Sequence, residues 1–143
     1  MLQYCPSLQP SDAYIFLRSF FPEIIEIHAD QIRRYGGHAG IRDIELLKSA
    51  TAMPATNFGG DYFHLNIYEM AAAYLFHIAR NHPFIDGNKR TGAVSSVVFL
   101  IMNGAELHAD ENSFETLVLS VAEGKIDKAA VARFFRVNAG TTE

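Results

Sequence analysis

The sequence predicts an all-α protein of about six helices packed around one central apolar helix. Two observations lead there. Apolar residues recur at i, i+3, i+4 and i+7 through most of the chain, and no segment alternates convincingly with period two. The stretch Val97-Val98-Phe99-Leu100-Ile101-Met102 is apolar all round, as befits a helix enclosed by the others. The 143 residues suffice for one core, and no repeat, low-complexity tract or linker divides them, so residues 1–143 read as a single domain.

Along the chain, Ser11 to Phe21 reads as a short helix or an ordered arm. A helix is predicted from Pro22, which suits a first turn, to Tyr35, with Gly36-Gly37 as its stop. Asp43 caps a short helix running to about Ala52 and ended by Pro54. Met53 to Asn66 is then a 14-residue connection rich in Gly and aromatics. Loops of about that length are uncommon and often functional, and the competing reading is a satellite cluster over the core.

Asn66 caps the third helix, with Glu69 completing a capping box. Ile67, Met70, Ala71, Tyr74, Leu75 and Ile78 form its buried stripe, and Pro83 ends it near Asn81. The fourth helix runs from about Asn88 to Asn103, with Gly104 at the stop position. The fifth carries Phe114, Leu117, Val118, Val121 and Ala122 on one face and ends at Gly124. Asp127 caps the sixth, which buries Val131, Phe134 and Phe135.

Composition narrows the function. A net charge of −4 supplies no global field for nucleic acid or an anionic membrane, so neither is expected as a direct partner. The single cysteine, Cys5, cannot form an internal disulfide, which fits a reducing compartment. No signal-peptide pattern opens the chain, and the most apolar run, Ala93 to Met102, is half the ~20 residues of a membrane span. A cytoplasmic location is expected.

The loop between the third and fourth helices, His82-Pro83-Phe84-Ile85-Asp86-Gly87-Asn88-Lys89-Arg90, carries the chemistry. Gly87 permits positive φ or close backbone approach. The amides just after it lack intrahelical acceptors and lie at the positive end of the helix dipole, a site for phosphate. Lys89 and Arg90 oppose that dipole by roughly 0.3–1 kcal/mol each when exposed. Their position makes sense if a polyanion binds there, Arg by forking onto phosphate oxygens and Lys as a point charge.

Asp86 offers the hard oxygen that Mg²⁺ prefers, or a helix cap. Asn88 is a favoured N-cap residue that can also contact phosphate. His82 is the natural general base, against the plainer reading of a loop histidine bonded to a carbonyl. Phe84 is a core anchor. His28, His38, His64, His77 and His108 show no metal spacing, and Arg80 reads as an exposed helix-end cation. Gly92 suggests close helix packing.

This segment resembles the signature of the Fic/Doc superfamily, His-x-Phe-x-Asp/Glu-Gly/Ala-Asn-Gly/Lys-Arg. Its ending Asn88-Lys89-Arg90-Thr91 resembles the death-on-curing (Doc) toxin branch, as do Tyr35-Gly36-Gly37, Gly40-Ile41-Arg42-Asp43 with Leu46-Leu47, and Phe58-Gly59-Gly60 in the same order. The resemblance covers roughly residues 22 to 137. It implies a Fic/Doc-like bundle in which His82 deprotonates a hydroxyl of a target protein and Phe84 anchors the loop. Asp86 would hold Mg²⁺, while Gly87, Asn88, Lys89 and Arg90 would surround the phosphates of ATP. Phe58, Gly59, Gly60, Asp61 and Tyr62 would belong to a flap that aligns the target segment.

AMP-transferring relatives carry Gly where Lys89 stands and a second Arg where this chain has Ala93. The Doc-like pattern therefore implies phosphorylation of a hydroxyl residue of a target protein, a threonine of translation elongation factor Tu, with arrest of translation. Transfer of AMP is the alternative within the enzyme class, and a catalytically inactive nucleotide- or antitoxin-binding module the alternative outside it. The self-inhibitory pattern Ser/Thr-x-x-x-Glu-Gly/Asn is absent, since Ser120 to Gly124 has the wrong spacing. The expected partner is accordingly an antitoxin peptide helix, Phd-like, laid across the active-site groove.

Overall fold

The structure, a computed structural model, describes residues 20–56 and 67–141. The predicted arm before Phe20, the Asn66 cap and the flap residues Phe58, Gly59, Gly60, Asp61 and Tyr62 lie outside the described residues. The elements, in chain order, are α1 (Phe21–Tyr35), α2 (Ile44–Thr56), α3 (Ile67–Asn81), α4 (Asn88–Met102), β1 (Ala105–Leu107), α5 (Glu111–Ala122), α6 (Lys128–Asn138) and β2 (Ala139–Thr141). The fold is all-α, as the periodicity predicts, with one small sheet added among the described residues.

Local chemistry sets the helix ends. Pro22 sits in the first turn of α1, and Gly36, at φ 83°, returns its N–H to the Ile32 carbonyl at the other end. The Asp43 carboxylate accepts from the Glu45 and Leu46 amides at 3.0 and 3.1 Å and so starts α2. Asp110 and Asp127 cap α5 and α6 in the same way, through the amides of Ser113 and Ala130.

Pro54 does not end α2, which runs on to Thr56. A proline removes its own N–H from the ladder, and near the C-terminal end this interrupts one bond while later residues still donate. Two short strands also depart from the all-helical expectation. They pair antiparallel, Ala105 opposite Thr141 and Leu107 opposite Ala139, and three residues are too few to display a period of two. Phe134 is half-buried beside the fully enclosed Val131 and Phe135.

α4 is central because its surroundings leave it no wet face: twelve of its fifteen residues are buried. On one side Val94, Val98 and Phe99 join Ile24 and Ile27 of α1, Leu47 of α2 and Met70 and Tyr74 of α3. On the other, Val97 and Leu100 join Leu75 of α3, Phe114, Val118 and Val121 of α5, and Val131 and Phe135 of α6. Both clusters thus meet at α3 and α4. Gly92 lets these two helices approach: a Cβ there would stand 3.3 Å from the Leu75 carbonyl oxygen and 3.5 Å from the Ala79 nitrogen. The rigid α3–α4 pair is what carries the loop between them.

Candidate active site

The loop His82–Gly87 leaves α3 by a sharp reversal. His82 N–H still bonds the Ile78 carbonyl at 3.3 Å, but its φ of 51° is left-handed, because Pro83 bars a further helical turn. Pro83 and Phe84 then turn inward, with Phe84 only 1% exposed. Phe84 lies flat on the His28 ring of α1, centroids 3.8 Å apart and planes 6° from parallel.

Three further supports hold the loop. The Asn88 carboxamide grips the Phe84 backbone at both ends, its Oδ1 accepting from Phe84 N–H at 2.9 Å and its Nδ2 donating to Phe84 O at 3.0 Å. Residues 40–43 run alongside, with Ile41 bridged antiparallel to Phe84 and Ile85 N–H bonded to the Gly40 carbonyl at 3.1 Å. His28 Nε2 lies 2.9 Å from the Asp86 carbonyl, an acceptor, so this nitrogen carries the hydrogen. Burial pushes the His28 pKa below its ordinary value, which favours that neutral form.

Asn88 therefore does not cap α4. The N-cap is Gly87, left-handed at φ 76°, with no side chain bonded to the helix amides. Nor does Asp86 cap it. One Asp86 oxygen accepts from the His38 N–H at 3.2 Å and the other from Gly87 N–H at 2.8 Å. The hydrogen bonds from His38 and then Gly87 hold the carboxyl below the usual carboxylate range. Gly37, at φ 117°, makes this approach feasible, since a Cβ there would fall 2.7 Å from the Asp86 oxygen.

The result is a bare positive helix start. The first amides of α4 have no intrahelical acceptor, and its first turn holds no acid. Arg90 reaches over the Tyr35 ring at 5.4 Å and donates to the Gly36 carbonyl at 3.4 Å, while Lys89 is exposed. A cavity of about 320 Å³ is lined by His82 and residues 85–90. Lys89 and Arg90 also line a second one of about 370 Å³, walled by Gln31, Tyr35, Ala93, Val118 and Leu119 and by the acidic Glu111 and Glu115. The two cations thus stand between the loop cavity and a recess with apolar walls and two carboxylates.

The structure thus brings His82, Asp86, Gly87, Asn88, Lys89 and Arg90 to one cavity, with Phe84 beneath it as anchor. Asn88 can reach a ligand there through its backbone, because its carboxamide is committed to Phe84. Among the described residues the cavity holds one carboxylate, Asp86, with spare lone pairs beside a cation-flanked helix start, a donor set that suits Mg²⁺, which keeps most of its waters and takes phosphate oxygens. His28, His38 and Arg42 support the loop, and no local signal in the sequence marks them for it. Only the shared order of Gly36-Gly37 and Gly40-Ile41-Arg42-Asp43 pointed to that neighbourhood.

One consequence can be measured without any ligand. Asn88→Ala leaves the buried N–H and C=O of Phe84 without partners, at roughly 1 kcal/mol or more each, so a loss of about 2–3 kcal/mol is expected. Urea titration reads it as a lower midpoint. An unchanged midpoint would mean that the carboxamide is not tied to the loop.

The model of the Fic/DOC family matches residues 21–100, from α1 to most of α4. "Toxin Doc" of Mycolicibacterium smegmatis is 40% identical over 101 residues, covering 68% of this chain and 77% of that protein. "Protein kinase doc" of Escherichia phage P1 is 31% identical over 121 residues, covering 85% of this chain and 94% of that protein.

Proposed function

The chain belongs to the Fic/DOC family, and on that premise we propose that it is a toxin-type protein kinase acting from residues 1–143 as one domain. It transfers the γ-phosphoryl group of Mg·ATP to a hydroxyl of a target protein, a threonine of elongation factor Tu, and so arrests translation in the cytoplasm. The observation that carries this reading is the single cavity shared by His82, Asp86 and the cation-flanked start of α4. No helix among the described residues is long and apolar enough to cross a membrane.

His82 accepts the proton of the target hydroxyl at an imidazole nitrogen as that oxygen bonds to the γ-phosphorus. The bond from the γ-phosphorus to the bridging oxygen breaks, and ADP leaves. The amides of Gly87, Asn88, Lys89 and Arg90 and the side chains of Lys89 and Arg90 hold the phosphates in line. Asp86 would hold Mg²⁺, which supplies neutralising charge for the phosphate oxygens. The flap Phe58 to Tyr62 would align the target segment.

Two residues favour phosphoryl over AMP transfer. Lys89 stands at the helix start beside the cavity, and Ala93 forms part of an apolar wall where an AMP-transferring enzyme would present a second guanidinium. The partner is a Phd-like antitoxin helix laid across the groove beside α4 and α5. Incubation with purified elongation factor Tu, Mg²⁺ and ATP labelled at the α- or the γ-phosphate tests the reading. Label entering from the γ position alone is expected. Label from the α position alone would establish AMP transfer instead, and label from neither would favour an inactive binding module.

A further inference from the structure

Among the described residues His82 alone combines a side chain with a positive φ, 51°. A side chain in this region is sterically disfavoured, and Pro83 draws the residue before it toward extended dihedrals. Something must hold His82 where it is. The surrounding hydrogen bonds single out one residue. Arg42 Nε donates to the His82 carbonyl at 2.6 Å and its Nη2 to the Asn81 carbonyl at 2.8 Å. The backbone N–H groups of Arg42 and Asp43 both donate to the Pro83 carbonyl, at 2.8 and 3.0 Å. Three successive carbonyls, 81 to 83, are thus held by one two-residue segment.

From this geometry we infer that Arg42 is the positioning residue for His82, resting on the reading of His82 as general base. The planar guanidinium spans two adjacent carbonyls, which fixes the orientation of both peptide planes flanking His82. With those planes fixed, the direction of the His82 Cα–Cβ bond is fixed as well, toward the cavity its imidazole lines. Without the fork, the Arg42 and Asp43 amides still hold Pro83, but the His82 carbonyl is free to turn and His82 can relax toward the extended region.

The phosphate-binding part of the loop is supported separately. Asp86 is held by His28, His38 and Gly87, and Phe84 by Asn88. Loss of Arg42 should therefore disturb the base and spare the nucleotide site. Arg42 is also exposed, so its removal costs the fold little. A purely structural role and a positioning role consequently predict different things.

The test compares Arg42→Ala, Arg42→Lys and Arg42→Gln with the unaltered protein. The expected result for Arg42→Ala is a fall in kcat of about 10²-fold, the scale of a misplacement near 1 Å. KM for ATP and the melting temperature should stay close to those of the unaltered protein. Arg42→Lys, with a single donor group, should recover part of kcat, and Arg42→Gln less. In NMR spectra the imidazole resonances of His82 should shift or broaden in Arg42→Ala, while those of His28 stay in place. Unchanged kcat and unchanged His82 resonances would overturn the inference. So would losses in kcat, nucleotide binding and melting temperature that move together in all three variants, since they would mark a structural role. If His82→Ala proves fully active, the reading of His82 as base fails, and the His82 resonances still decide whether Arg42 positions it.

Discussion

His82→Ala is expected to lower the rate of target phosphorylation by roughly 10²–10⁴-fold, the usual contribution of a positioned general base. Nucleotide affinity should change little, because the amides and cations proposed to hold the phosphates belong to residues 87–90 and keep their own supports. Stability should also change little, because the His82 side chain is exposed. His82→Gly sharpens the test. It removes the imidazole equally but relieves the left-handed backbone at φ 51°, so it should be more stable than the alanine variant by about 1 kcal/mol. Rate measurements with purified target, beside thermal melts, check both halves. Full activity in either variant would remove His82 from the chemistry.

The second large effect belongs to Phe84. Its side chain is 1% exposed, packed in the α1–α3–α4 cluster and stacked on His28. Phe84→Ala is expected to cost roughly 3–5 kcal/mol through lost burial and the cavity left behind. For a chain of this length that corresponds to a fall in melting temperature of about 10 °C or more. Activity should fall too, because the buried ring holds in register the backbone that Asn88 ties to α4 at Phe84 and that residues 40–43 tie at Pro83 and Ile85. Phe84→Leu, which keeps much of the volume, should restore most of the stability. An alanine variant that melts like the unaltered protein would show that the ring is not the anchor of the loop.

Much of the architecture was legible because it rests on local rules. The stripe of α3, the caps Asp43 and Asp127 and the stops at Gly36 and Gly104 are written in neighbouring residues, and the structure places them as read. The end of α2 was misread, since Pro54 weakens a helix without dictating where the last turn falls. The small sheet was invisible, because its two strands stand 34 positions apart and each is too short for a pattern.

The loop His82–Arg90 shows the same division at closer range. Residue type and order alone placed an imidazole, a carboxylate, a glycine and two cations at the start of an apolar helix, because that much depends on spacing along the chain. What each side chain is engaged in depended on partners some 40 to 58 residues away: His28 beneath Phe84 and bonded to Asp86, His38 on the Asp86 carboxylate, Arg42 on the His82 carbonyl. The Asn88 carboxamide serves as a brace because the buried Phe84 peptide needs both a donor and an acceptor, which leaves the Asn88 backbone amide for a ligand. Local spacing determines which groups reach the site, whereas hydrogen-bond demands that are met only when distant segments pack together decide how each is held.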